Sequence, residues 1–233
     1  LNEVLDAAQL SQLPGLEAAT PDVVEAILEE AGKMAAGAIG ILNSTGDKQG
    51  SQLVDGEVKT PDGFKAAYQT FIDGGWNGLA FPEAIGGQGL PFTVGLAVNE
   101  MITSSNLAFS LCPLLTTGAV EALMKHATPA LRDRYLEKLV TGEWTGTMNL
   151  TEPHAGSDVG ALKSSADPQD DGSYRIRGTK IYITYGDHDL TENIVHLVLA
   201  RTPGSPPGTK GISLFLVPKY MVNDDGSLGG RND

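Results

Sequence analysis

One cysteine in 233 residues, Cys112, excludes an internal disulfide and fits a reducing compartment. It stands between Leu111 and Pro113-Leu114-Leu115, an apolar setting that favours a buried thiol over a nucleophile. Cations are scarce. Lys and Arg number 16 against 29 Asp and Glu, the net charge is −13, and no basic cluster occurs. That balance argues against a nucleic-acid partner, because such affinity rests on neutralising phosphates. No apolar run approaches the roughly 20 residues of a transmembrane helix, so no membrane insertion is expected. The N-terminus, Leu1 to Asp6, lacks the basic region of a signal peptide and an initiator Met, so the chain is expected to begin inside a longer reading frame. His126, His188 and His196 show no metal-ligand spacing, and no metal is expected. What remains is a cytoplasmic globular protein, 41% hydrophobic, with enough apolar residues for one large domain or two ordinary ones.

Two textures divide the chain. Residues 1–145 read as an all-α N-terminal domain, whose first 59 residues form an extension and a loop. Thr20-Pro21, Thr60-Pro61 and Thr128-Pro129 each predict a helix start, with Thr capping free N–H groups and Pro in the first turn. Val24, Ile27, Leu28, Ala31 and Ala35 recur at helical spacing after the first pair, and Phe64, Ala67, Tyr68 and Phe71 after the second. Helices are also predicted from Pro91, over Leu114 to His126, and after Pro129 until Gly142. Asn43 to Lys59 has no helical period and reads as a long loop. Residues 146–233 alternate in short runs such as Tyr174-Arg175-Ile176-Arg177, Lys180 to Tyr185, Ile194 to Ala200 and Gly211 to Val217, separated by Gly- and Pro-rich turns. They read as an antiparallel, barrel-like β domain with too few strands to close, so it is expected to be incomplete. Asn223 to Asp233 reads as an exposed loop, cut short. The fold class is α+β, multidomain.

The chemistry concentrates where the textures meet. In Leu150-Thr151-Glu152-Pro153-His154-Ala155-Gly156-Ser157-Asp158, Gly156 lets backbone approach a ligand closely, and the N–H groups around Gly156-Ser157 suit a diphosphate. On a strand from Lys180 to Thr184, Tyr182 and Thr184 share one face, an aromatic beside a hydroxyl. A plain turn and an ordinary half-buried strand account for the same residues. Gly86-Gly87-Gln88-Gly89 lacks the strand-before, helix-after context of a dinucleotide fingerprint and reads as a turn.

Leu150 to Asp158 resembles the Thr-Glu-Pro-x-Ala-Gly-Ser-Asp signature of the acyl-CoA dehydrogenases. Gly178-Thr179-Lys180-Ile181-Tyr182-Ile183-Thr184 resembles their Gly-x-Lys-x-x-Ile-Thr segment, and Phe81-Pro82-Glu83-Ala84-Ile85-Gly86-Gly87-Gln88-Gly89-Leu90 their Pro-Glu-x-x-Gly-Gly-x-Gly segment. Three motifs in the family's order span about residues 60–218. The long N-terminal extension and the Asp55 to Phe64 entry resemble the larger bacterial branch that includes methylmercaptopropionyl-CoA dehydrogenases.

The resemblance implies an FAD-dependent oxidoreductase of fatty acid metabolism. Such an enzyme removes the α-proton of an acyl-CoA thioester as hydride leaves the β-carbon for the flavin. Leu150, Thr151, Gly156, Ser157, Tyr182 and Thr184 would bind the cofactor, and Ser157 would also lie near the acyl-CoA. Tyr182 stands where many members carry Trp. The family's catalytic base belongs to a C-terminal helical bundle that this chain does not contain, so no catalytic residue is expected here, and these residues alone are expected to be inactive. An electron-transfer flavoprotein would accept the electrons from a homodimer or homotetramer. An acyl-CoA oxidase, or a non-catalytic FAD-binding relative, is the alternative.

Overall fold

The computed structural model describes residues 7–232. Helix α1 (Pro21–Met34) starts on Pro21, and its stripe of Val24, Ile27, Leu28 and Ala31 packs inward. Thr20 makes no side-chain cap there. One π turn and one 3-10 turn carry the chain into α2 (Asn43–Gln49). A hairpin follows, β1 (Gln52–Val54) with β2 (Glu57–Lys59). Residues 43–59 are therefore not a loop. The short helix is polar and the hairpin has no apolar alternation, so periodicity passed over both. Its turn, Asp55-Gly56, has φ of 51° and 82°, the positive pair that a two-residue hairpin requires.

Thr60-Pro61 starts no helix. The N–H and hydroxyl of Thr60 both donate to Asp189 Oδ1, at 3.0 and 2.8 Å, and α3 (Phe64–Asp73) begins after Gly63. Next come α4 (Phe92–Ser105), α5 (Leu107–His126) and α6 (Pro129–Thr141). Helix α5 begins seven residues before the predicted Leu114, because Asn106 Oδ1 caps it by accepting from Phe109 N at 3.1 Å. Pro113 lies inside the helix, where a sequence reading places a boundary. By length and composition α5 could cross a membrane, contrary to the expectation that no run approaches that length. Its buried residues Phe109, Cys112, Thr116, Ala119, Val120 and Leu123 make it a core helix here.

Phe64, Tyr68 and Phe71 of α3 surround Phe109 of α5 with ring centroids 6.1 to 6.4 Å apart. Cys112 belongs to the same core, and burial there pushes its thiol pKa up. A second core joins helices to sheet, packing Val120, Leu136, Leu139 and Val140 against Trp144, Val195 and Leu197.

The main sheet has three strands, ordered Trp144–Asn149, Asn193–Ala200, Ser213–Pro218. Strand β3 (Trp144–Asn149) is followed by the hairpin of β4 (Ser165–Pro168) and β5 (Tyr174–Arg177), then β6 (Asn193–Ala200) and β7 (Ser213–Pro218). Within the three-stranded sheet β6–β7 is antiparallel, whereas β3 pairs with β6 in parallel, Trp144 opposite Asn193 through Asn149 opposite Val198. The antiparallel expectation holds for β4–β5 and β6–β7 and departs only at β3–β6, where the long excursion through β4 and β5 returns the chain to the end from which it left. Strands β8 (Tyr220–Val222) and β9 (Leu228–Arg231) form a last hairpin, whose turn and second strand occupy the supposed terminal loop. The described residues contain no closed barrel.

Two glycines fix the joint. Gly142, at φ 81°, ends α6. At Gly146, α5 lies so close to β3 that an added Cβ would stand 2.4 Å from Ala119 Cβ. Gly146 N also donates to Thr116 Oγ1 at 3.1 Å. The chain emerging from β3 is thus held against a rigid helix.

Candidate functional site

Past Asn149 the chain leaves the sheet through Leu150 and Thr151 and folds into a tight turn. Glu152 and Ala155 exchange both backbone hydrogen bonds there at 3.0 Å. Pro153 and His154 form the exposed tip, and Gly156 and Ser157 follow, also exposed. The N–H groups of Gly156 and Ser157 and the Ser157 hydroxyl make no hydrogen bond among the described residues. A Cβ on Gly156 would meet nothing within 4 Å. The segment beyond is anchored by Arg201, whose guanidinium donates to the carbonyls of Leu162, Pro206 and Gly208 at 2.9 to 3.0 Å and to that of Gly160. Open donors on a pinned turn suit an anionic or carbonyl-bearing ligand.

The second motif is not a strand. From Gly178 to Leu190 the chain is irregular, so no two-fold alternation places Tyr182 and Thr184 on a common face. Tyr182 has φ 57° and is 89% exposed. A left-handed conformation costs roughly 1–2 kcal/mol for a residue with a Cβ, and such strain gathers at functional positions. Thr184 lines a groove of about 1060 Å³ with Ile183, Tyr185, Leu107 and Leu111. The ribbon-like pattern of Lys180 to Tyr185 misled because its backbone bonds go to Thr151, to the Thr147 side chain and to a local turn instead of to a neighbouring strand.

Those bonds bring the two motifs together. Ile181 N donates to Thr151 O at 3.0 Å, and Thr147 Oγ1 donates to Thr184 O at 2.6 Å. Between these ties, Lys180 Nζ donates to Leu150 O at 3.0 Å and to Glu152 Oε1 at 2.9 Å. Leu150, Thr151, Tyr182 and Thr184 therefore lie on two tethered segments, with Gly156 and Ser157 on the turn that continues the first.

Glu152 is 3% exposed. Burial raises its pKa, but hydrogen bonds from Lys163 N at 2.7 Å, the Lys180 ammonium and Ser164 N at 3.0 Å win, leaving it at about 2. The carboxylate is ionised, turned inward and neutralised by Lys180, so it offers no repulsion to an anion at the turn. Lys180 and Glu152 are the site residues that sequence reasoning did not single out. The signal was present as one acid and one base, each fixed within one of two separate motifs.

Behind the loop, His188 sits on the face of β3 away from the helices. Its Nδ1 accepts from Leu190 N at 3.1 Å, leaving Nε2 for Thr145 Oγ1 at 2.9 Å. Burial lowers its pKa to about 4, so the ring is neutral and structural.

Comparison with known proteins identifies the family and the fold. The model of the acyl-CoA dehydrogenase N-terminal domain matches residues 52–143, and that of the middle domain matches residues 147–228. A 3-methylmercaptopropionyl-CoA dehydrogenase of Ruegeria pomeroyi is 50% identical over 229 residues, which are 96% of this chain and 39% of the relative. A butyryl-CoA dehydrogenase of Syntrophomonas wolfei is 39% identical over 216 residues, 91% of this chain and 35% of that protein. The chain thus spans little more than a third of these relatives' length. An acyl-CoA dehydrogenase of Bacillus anthracis, solved in complex with FAD, has the same fold. Its TM-score is 0.68 at 21% identity, over 88% of this chain and 32% of that one. The chain belongs to the acyl-CoA dehydrogenase family, of which it carries the N-terminal helices and the middle-domain sheet.

Proposed function

We propose that this chain is the flavin-holding part of an acyl-CoA dehydrogenase. The observation that carries the reading is the tethering of the Leu150–Ser157 turn to the Lys180–Thr184 segment. It ties the segment that carries the open N–H donors and the Ser157 hydroxyl to the one that carries the exposed Tyr182. These residues fit FAD. Leu150 and Thr151 would lie against the ring, with Tyr182 covering part of it and Thr184 beside its reactive nitrogen. Gly156 and Ser157 would take the diphosphate with donors that the protein leaves free. When bound, FAD supplies the acceptor for the hydride that leaves the β-carbon of the acyl thioester.

The protein's own part is to bind, orient and shield. Ser157 would serve both the diphosphate and the acyl-CoA. Glu152 cannot take the α-proton, since its charge is committed to Lys180 and its pKa of about 2 leaves it too weak a base at neutral pH. We place the base outside residues 1–233, and the electron acceptor is an electron-transfer flavoprotein in the cytoplasm, serving a homo-oligomer. The relatives' names make a short acyl-CoA, such as a butyryl or methylmercaptopropionyl thioester, the first substrate to try.

Purified full-length protein should be yellow, release FAD on denaturation, and lose its visible absorbance when an acyl-CoA is added without oxygen. A colourless protein, or one whose flavin no acyl-CoA bleaches, would overturn the reading. Rapid reoxidation by air with peroxide release would replace the dehydrogenase by an oxidase. Residues 1–233 alone should bind FAD weakly and show no turnover.

A further inference from the structure

We infer that Lys180 and Glu152 are positioning residues that pre-form the flavin ring platform, acting through the Leu150 carbonyl and the strained backbone at Tyr182. The inference rests on the FAD reading above and adds to it two residues that need not touch the cofactor. The Lys180 ammonium bridges the Leu150 carbonyl and the Glu152 carboxylate at 3.0 and 2.9 Å. Both side chains are nearly closed to water, at 9% and 3% exposure. A charge-assisted hydrogen bond in such surroundings is about twice as strong as a neutral one.

Its geometric effect follows from the planar peptide. Fixing the Leu150 carbonyl on one side fixes the Thr151 N–H on the other, because the two are antiparallel across one rigid unit. Glu152 holds the ammonium in place and is itself held by Lys163 N and Ser164 N, so the clamp reaches back to the entry of β4. On the other side of the clamp, Lys180 lies two residues before Tyr182. The left-handed Tyr182 makes no hydrogen bond or ring contact of its own among the described residues. Its conformation is therefore imposed by its neighbours, through Lys180, the Ile181 N–H and the Thr184 carbonyl. A platform held before the cofactor arrives spares the ordering cost on binding.

Lys180→Met alone strands a buried carboxylate, which can unfold the protein for unrelated reasons. The decisive variant is therefore Lys180→Met with Glu152→Gln, which removes both charges, and Lys180→Arg serves as the conservative control. FAD affinity of the deflavinated full-length protein, the visible spectrum and fluorescence of the bound flavin, and the melting temperature of the apoprotein are measured together. The double variant should melt as a folded protein yet bind FAD at least tenfold more weakly, with brighter flavin fluorescence and a shifted absorption band. Lys180→Arg should recover most of that affinity. A double variant that binds FAD within twofold of wild type, with an unchanged flavin spectrum, would overturn the clamp while leaving the FAD site standing. Wild-type apoprotein that takes up no FAD would overturn both.

Discussion

His188 shows how a single buried side chain ties this fold to pH. Burial depresses its pKa to about 4, and the Leu190 N–H occupies the lone pair that a proton would need. The neighbouring charges Asp187, Asp189 and Lys219 only modify that shift. The unfolded imidazole accepts a proton near pH 6.5 and the folded one does not. Its contribution is therefore complete above about pH 6.5 and is lost progressively as pH falls toward 4. His196, depressed to about 4 by burial as well, acts in the same window. The expected decline from His188 is on the order of 3 kcal/mol, about 1.4 per pKa unit. Urea midpoints taken from pH 7 to 4 should fall steadily, and a His188→Gln variant should flatten part of the slope. A midpoint independent of pH above 4.5 would contradict the assignment.

Among the elements, α5 carries the most. It buries Phe109 in the aromatic core, presses Ala119 onto Gly146 and leads its first turn toward the groove at Thr184. Asn106 sets where it begins, accepting from Phe109 N while its amide reaches the Ile39 carbonyl. Asn106→Ala should cost about 1–2 kcal/mol, the upper part of the range for a lost cap, because the residue is buried. A thermal melt checks this, and an unchanged melting temperature would mean that the first turn holds without its cap. The start of α5 was legible only in part. Asn106 is an ordinary capping residue, but Pro113 reads as a boundary unless one sees the packing that keeps the helix whole around it. The hairpin at 52–59 was hidden for the opposite reason. Strand β1 is exposed along its length and β2 buries no residue fully, so no alternation marks them, and only Asp55-Gly56 announces the turn.

Across the whole molecule, apolar surface is left open on one side of the helices. Phe92, Leu96 and Leu114, exposed by 66%, 53% and 47%, surround an apolar cavity of about 180 Å³. Such a contiguous patch is a liability in a solitary soluble chain. Residues 1–233 expressed alone should bind an apolar dye and self-associate as concentration rises. Phe92→Ser with Leu96→Ser should suppress both without lowering the melting temperature by more than a few degrees. Sedimentation showing a monomer at every concentration would count against this.

The sequence by itself determined the family, the order of a helical half before a sheet, and the tight turn at Glu152 to Ala155. Those are matters of local composition and motif, and Gly156, Ser157 and the Glu152-Pro153 turn behave as their residue types dictate. Tertiary structure decided the rest. It made β3 and β6 parallel, unwound Lys180 to Thr184 into a strained loop, and joined that loop to Leu150 through a lysine and a glutamate 28 residues apart. Strand alternation reports only which faces are buried, whereas a hydrogen bond across distant segments depends on where the intervening chain returns. For that reason the two motifs could be found in the sequence, but the clamp between them could not.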